Sequence, residues 1–233
     1  MCKHGSESLT DFIAPPSQGG NMRHIMVINA KGGSGKTTIA TNLASYFANQ
    51  NKKVTIIDYD PQGSSLDWLS VRSSAKAPIH GIAGFKKKVE KPPRNTDIVI
   101  MDVPAAVHGG ELTKLVRKAQ TILVPILPSP IDMRAATQFI SELKKCAPVS
   151  QKKAKVALIA NRAREITNIA WELEEFLSKQ KIPYLTMLRD NQNYVRAAER
   201  GLGIFEMGPA ATAVDREQWD PIIKWVKSKR SQP

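Results

Sequence analysis

Cysteine is nearly missing from this chain. Of 233 residues only Cys2 and Cys146 carry a thiol, which excludes a disulfide framework and leaves too few ligands at useful spacing for a zinc site. A cluster-bearing reductase would need its cluster cysteines near a subunit interface, and Cys2 with Cys146 does not provide them. No apolar run approaches the ~20 residues that span a bilayer, and "MCKHGSESLTDFIAPPSQGGN" lacks the apolar core of a secretory signal. The expected location is therefore the cytoplasm. There is no internal repeat, and no helix-turn-helix signature that would suit a reader of one operator sequence. Carboxylates are scarce too: 21 Asp plus Glu face 34 Lys plus Arg, a formal charge of +13. Such an excess favours a polyanionic partner, either nucleic acid or an anionic membrane face.

What is present suits one soluble domain. Apolar residues at 42% and charged residues at 24% argue against disorder or a fibrous repeat for the body of the chain. Residues 1–22, rich in Ser, Gly and Pro, read as a flexible leader, and the domain is expected over 23–230. Short β-rich runs without in/out alternation occur at 24–29, 53–58, 97–102, 121–126, 155–160 and, more weakly, 182–187. Helical patterns fall between and after them, at 36–50, 110–119, 132–147, 166–180, 191–200 and 215–229. Alternation of this kind predicts an α/β fold with a mostly parallel twisted sheet and helices on both faces. Ligands in such folds gather at the carboxyl ends of the strands, where Asp58 and Asp102 fall. The stretch Ser70 to Thr96, with "KKK" at 86–88 and "KPPR" at 91–94, reads as a surface excursion holding a short helix, and no chemistry is assigned to it.

The stretch "NAKGGSGKTTIATNL", Asn29 to Leu43, follows a predicted strand and opens a predicted helix. In that context Gly32, Gly33, Ser34 and Gly35 can turn backbone N–H groups inward around phosphate oxygens, and the helix N-terminus adds partial positive charge. Lys36 can then reach the β- and γ-phosphates, and Thr37 can offer its hydroxyl to Mg²⁺. Two features depart from the usual phosphate loop: Ala30 stands where its first glycine would be, and a second lysine, Lys31, precedes the glycines.

"KGGSGKTT" resembles the deviant Walker A loop of the ParA/MinD family of ATPases, on a P-loop NTPase fold. The likeness extends to "VTIIDYDPQGSSLDWL" (54–69), similar to the family's switch I, to "DIVIMDVPA" (97–105), similar to its Walker B strand and switch II, and to "VPILPSPIDMRAA" (124–136). It covers most of residues 23–210 and is greatest toward short plasmid-type ParA proteins. The resemblance implies that Lys31 reaches the ATP of a second subunit in a nucleotide-sandwich dimer; a solvated loop lysine is the plain alternative. It implies Asp60 as the residue that positions the attacking water, where Asp60-Pro61 could also be a simple turn. It further implies Asp58 and Asp102 around Mg²⁺, Thr38 at the α-phosphate, and Asn161 at the adenine, although a strand-end Asn is also a common turn former. After Walker B, "DVPAAVHGG" has one proline followed by alanines where many relatives carry two prolines or a glycine.

The family resemblance implies slow ATP hydrolysis, stimulated by a ParB-like or cargo-adaptor protein, that times association with a surface. Two surfaces compete. A ParA-like protein binds DNA without sequence preference and positions a plasmid or a protein body such as a carboxysome over the nucleoid. A MinD-like protein binds membrane through a C-terminal amphipathic helix, and Trp219, Ile222, Ile223 and Val226 do share one helical face. Such a stripe at the end of an α/β domain more often packs on the core, with Pro221 in the first turn of that helix. DNA is therefore the expected surface, with Arg189, Arg196, Arg200, Lys224, Lys227 and Arg230 as its phosphate contacts.

Overall fold

The computed structural model of the protein describes residues 22–164 and 167–233. β-branched and apolar runs buried on both sides can pair only inside a sheet covered on each face. Seven strands do so: β1 (Arg23–Val27), β2 (Val54–Asp58), β3 (Ile79–Ala83), β4 (Ile98–Asp102), β5 (Thr121–Ile126), β6 (Lys155–Ala163) and β7 (Tyr184–Arg189). They lie in the order β3-β2-β4-β1-β5-β6-β7, and every pairing is parallel. All carboxyl ends therefore face one side, and register sets Asp58 of β2 directly beside Asp102 of β4.

Helices cover both faces. On one, α1 (Lys36–Asn49) and α8 (Ala213–Lys227) bury Ile39, Leu43, Phe47, Trp219, Ile222 and Val226 against Ile25, Ile56 and Ile100. On the other, α3 (Gly109–Val116), α4 (Pro130–Lys145) and α6 (Asn168–Ser178) bury Leu112, Phe139, Leu143 and Leu173 against Met26, Met101 and Val124. Short helices α2 (Ser64–Ser70), α5 (Ala147–Ser150) and α7 (Gln192–Ala198) complete the layers. No helix among the described residues is long and apolar enough to cross a membrane.

Three expectations need correction. The stretch 70–96 contains a strand, β3, which its Pro, His and Gly residues disguise; the short helix, α2, precedes it. Gly81 interrupts the apolar pattern, and a Cβ there would come within 2.8 Å of a Leu69 methyl and 2.9 Å of a Leu66 methyl, so both side chains of α2 would have to shift to admit one. Second, β6 runs on to Ala163, which places Asn161 inside the strand rather than after it. Third, α8 starts at Ala213, so Pro221 lies in the helix interior and removes one backbone donor there. The predicted leader lies outside the described residues except for Met22, and of the predicted helix 166–180 the first residue also lies outside them. The apolar stripe of α8 is covered by the core, with Trp219, Ile222 and Val226 at 0% exposure.

A buried clamp links α2 to the chain after α7. Arg72 donates through Nη2 and Nη1 to both oxygens of Glu206, at 2.7 and 2.8 Å, and to the carbonyls of Gly201 and Ala77. Burial alone pushes the Glu206 carboxyl up, but the Arg72 hydrogen bonds and the Gly203 N–H outweigh it and hold the group below its ordinary value. Trp68 adds a bond from Nε1 to the Leu202 carbonyl at 3.2 Å. Replacing Arg72 by Met should leave Glu206 ionised and unmatched in a dry site, at a cost of about 3–5 kcal/mol in urea unfolding. The R72M/E206L pair should recover most of that loss. A single variant with an unchanged midpoint would show that the clamp does not hold the fold.

Candidate nucleotide site

The loop between β1 and α1 is pinned from two sides. Asn29 Nδ2 donates to the Pro125 carbonyl at 2.7 Å, and Asn161 Nδ2 donates to the Ser34 carbonyl at 2.8 Å. Gly35 takes φ +83, and a Cβ there would meet Asn161 Nδ2 at 2.2 Å, so this position needs glycine both for its backbone and for the buried amide beneath it. The turn leaves α1 starting at Lys36 with its first N–H groups directed at open space, the standard geometry for receiving an anion.

The loop opens on a cavity of about 710 Å³ at the carboxyl ends of the strands. Gly32, Gly33, Gly35, Lys36, Thr37, Thr38, Asp60, Asp102 and Asn161 all line it, so most of the residues expected at a nucleotide are brought together. Ser34 and Asp58 lie buried beneath the lining. Lys31 is partly exposed and does not line its own chain's cavity. Sequence reading gave no role to the opposite wall, which Arg162, Leu188, Asp190, Asn191 and Tyr194 form from β6, β7 and α7. These positions carry no local motif; only the parallel order of β6 and β7 brings them over the loop.

Charge is tightly arranged at the floor. Asp58 Oδ1 accepts from the Asp60 N–H and Oδ2 from the Ser65 N–H, each at 2.9 Å, so its carboxylate organises the turn carrying Asp60. Asp102 is 2% exposed. Burial pushes its carboxyl up to about 7; the Asp58 charge adds to the rise and the Lys36 ammonium offsets part of it. Burial lowers Lys36, against the pull of Asp102 and Asp60, and its Nζ donates to the Lys31 carbonyl at 3.1 Å. Among the described residues, Asp102 Oδ2 and Ser65 Oγ are buried without a well-formed hydrogen bond, although the Thr37 and Ser65 hydroxyls lie close enough to Asp102 to lower its carboxyl in part.

Unsatisfied buried oxygens beside two carboxylates are what a hard cation would satisfy. No cluster of three or more His, Cys, Asp or Glu occurs among the described residues. The donor set therefore fits Mg²⁺, which is held by one or two carboxylates, a hydroxyl and phosphate rather than by an all-protein cage. Thr37, Asp58 and Asp102 are the residues that would hold it. Beside them Ala106, with φ +61, donates its N–H to the Ala30 carbonyl at 3.1 Å, tying the segment after β4 to the phosphate loop.

The six expected DNA contacts fare unequally. Arg189 donates from Nε and Nη2 to the fully buried Asp215, at 2.7 and 3.1 Å, and Asn193 Nδ2 joins the same carboxylate at 2.8 Å. That network fastens β7 and α7 to α8, so Arg189 is a structural ion pair and not a free surface cation. Lys224 pairs with Asp220 one helical turn away at 2.5 Å. Arg196, Arg200, Lys227 and Arg230 are exposed, on and just beyond α7 and α8.

The model of the CobQ/CobB/MinD/ParA nucleotide binding domain matches residues 25–204. "Maintenance of carboxysome distribution protein A" of Halothiobacillus neapolitanus is 32% identical over 192 residues, covering 79% of this chain and 87% of that protein. Among solved structures, a Borrelia burgdorferi plasmid partition protein bound to AMPPNP is similar with a TM-score of 0.67 at 15% identity, over 88% of this chain and 99% of that one. A variant of Cyanothece McdA in complex with ATP is similar with a TM-score of 0.64 at 16% identity, over 88% and 97% respectively.

The raised Asp102 carboxyl has a measurable consequence. Its value in the fold, about 7, lies above the ordinary 3.8, so the folded chain prefers the proton and gains stability that is full below pH 4 and lost as pH rises through 7. Thermal unfolding of the nucleotide-free, metal-free protein should show this decline between about pH 4 and pH 7, and Asp102→Asn should flatten it. An equal slope in the variant would assign the proton uptake elsewhere.

Proposed function

The chain belongs to the CobQ/CobB/MinD/ParA nucleotide-binding family, and from that premise we propose that it is an ATPase that dimerises on ATP, binds DNA without sequence preference and positions a cargo over the nucleoid. The observation that carries the nucleotide half is the convergence of Lys36, Thr37, Asp60 and Asp102 on one cavity under a phosphate-cradling loop. A protein body is the cargo favoured over a plasmid, since a relative 32% identical over 79% of the chain is named for carboxysome distribution.

In this reading the N–H groups of Gly33 to Thr38 surround the phosphates, and Lys36 leaves the Lys31 carbonyl for the β- and γ-oxygens. Thr38 serves the α-phosphate. Bound Mg²⁺ would neutralise charge on the β- and γ-oxygens. Asp60, held by Asp58 through its backbone N–H, orients the attacking water, and little covalent chemistry is asked of the protein. Lys31, standing outside its own cavity, is placed to serve the triphosphate of a second copy, as an arginine finger does in trans. Asn161 acts on the loop: its amide is engaged by the Ser34 carbonyl, and an adenine contact would use its Oδ1. A partner protein that completes the site stimulates turnover and returns the dimer to single chains.

The membrane alternative requires the apolar face of α8, and that face is packed in the core. Co-sedimentation with ATP, ADP or no nucleotide, against random duplex DNA and against anionic liposomes, tests the choice: DNA should be retained with ATP only, and liposome binding without DNA binding would retire the proposal. Asp60→Ala should keep ATP binding and the dimer while turnover falls at least about a hundredfold, within the range lost with a positioning group. Lys31→Ala should abolish the ATP dimer measured by light scattering; a dimer of undiminished affinity would remove the role in trans.

A further inference from the structure

Part of the positive charge of this protein lies away from α7 and α8, where the family resemblance placed the DNA contacts. Of the six cations expected at DNA, Arg189 is held by the buried Asp215, while Lys224 makes only an exposed pair with Asp220. The densest group of unengaged cations lies instead in the segment after β3: Lys86, Lys87, Lys88, Lys91 and Arg94, opposed within that stretch only by Glu90. All five are exposed, and none makes an ion pair or side-chain hydrogen bond among the described residues. Five cations less one carboxylate is +4 of the total +13.

The segment is also attached to the nucleotide site. Gly84 donates its N–H to the Asp58 carbonyl at 2.6 Å, and the Asp58 side chain holds the turn bearing Asp60. The lysines therefore begin two residues from a backbone bond to the residue that organises the catalytic turn.

We propose that the turn carrying Lys86, Lys87 and Lys88, with Lys91 and Arg94, is a phosphate-backbone contact surface for duplex DNA, separate from α7 and α8 and anchored to switch I. It rests on the DNA-binding reading above and changes where that binding takes place. Flexible exposed lysines on an irregular turn suit contacts that carry no sequence information. A membrane would require more apolar surface. Phe85 and Val89, at 40% and 37% exposure, are the apolar side chains this turn shows to solvent, and two such residues on an irregular turn do not make the continuous apolar face of an interfacial helix. In a dimer the group is doubled, which makes a weak single site effective.

The test uses the full chain with ATP and Mg²⁺, duplex DNA of random sequence and a salt titration. Against the wild type, the K86E/K87E/K88E variant should lose DNA affinity at least about tenfold. K86Q/K87Q/K88Q should lower the slope of log K against log salt by about 2–3 per protomer, at about 0.9 for each phosphate no longer neutralised. Basal ATP turnover and the ATP dimer should not change in either, which also verifies folding. If the wild type binds DNA and both variants match it in affinity and slope, the inference is overturned while the proposed function stands. If the wild type fails to bind DNA, the reading beneath it falls. If the variants keep DNA but lose binding to phosphatidylserine-containing vesicles, the turn is a membrane surface and the inference is again overturned.

Discussion

Two carboxylates set side by side on adjacent strands, both out of solvent, cannot comfortably be ionised together. The pairing of Asp58 with Asp102 is that constraint, and the site is organised around it. Asp58 meets it by accepting two backbone N–H groups, and Asp102, raised first by its own burial and further by the Asp58 charge, holds its proton to about pH 7. A cation offers the third solution. The same register that creates the repulsion builds a site in which charge from outside is stabilising, and the phosphate loop on β1 lies on the strand next to Asp102.

Asp58 is also a junction. One of its carboxylate oxygens fixes the Asp60 turn and the other the start of α2, its carbonyl fixes the start of the lysine-bearing turn, and Trp68 in α2 and Arg72 just after it reach Leu202 and Glu206. Change at the phosphate end therefore meets few independent parts before it arrives at α7. Buried polar networks of this kind have discrete arrangements and resist intermediate ones.

The loop, the helix it opens and the strand-end carboxylates were legible in the sequence because each depends on residues close in the chain. Six of seven strands were legible for the same reason. What escaped were contacts made at a distance. Nothing near Gly81 says that Leu66 and Leu69 pack against it, so β3 read as loop. Arg189 advertises a charge, while the carboxylate that takes it is 26 residues away. Asn161 reads as a strand-end turn former until Ser34, 127 residues back, is seen to need its amide. Pro221 signals a helix start by local rules, and Asp215, with its three hydrogen bonds from Arg189 and Asn193, sets an earlier one.

Ala106 sits in a left-handed backbone conformation that costs an alanine about 1 kcal/mol, and its N–H is tethered to the carbonyl of Ala30. Glycine would occupy that conformation with no penalty. The surrounding fold offsets that cost, so a glycine at position 106 would hold the same link between the segment after β4 and the phosphate loop with less local strain.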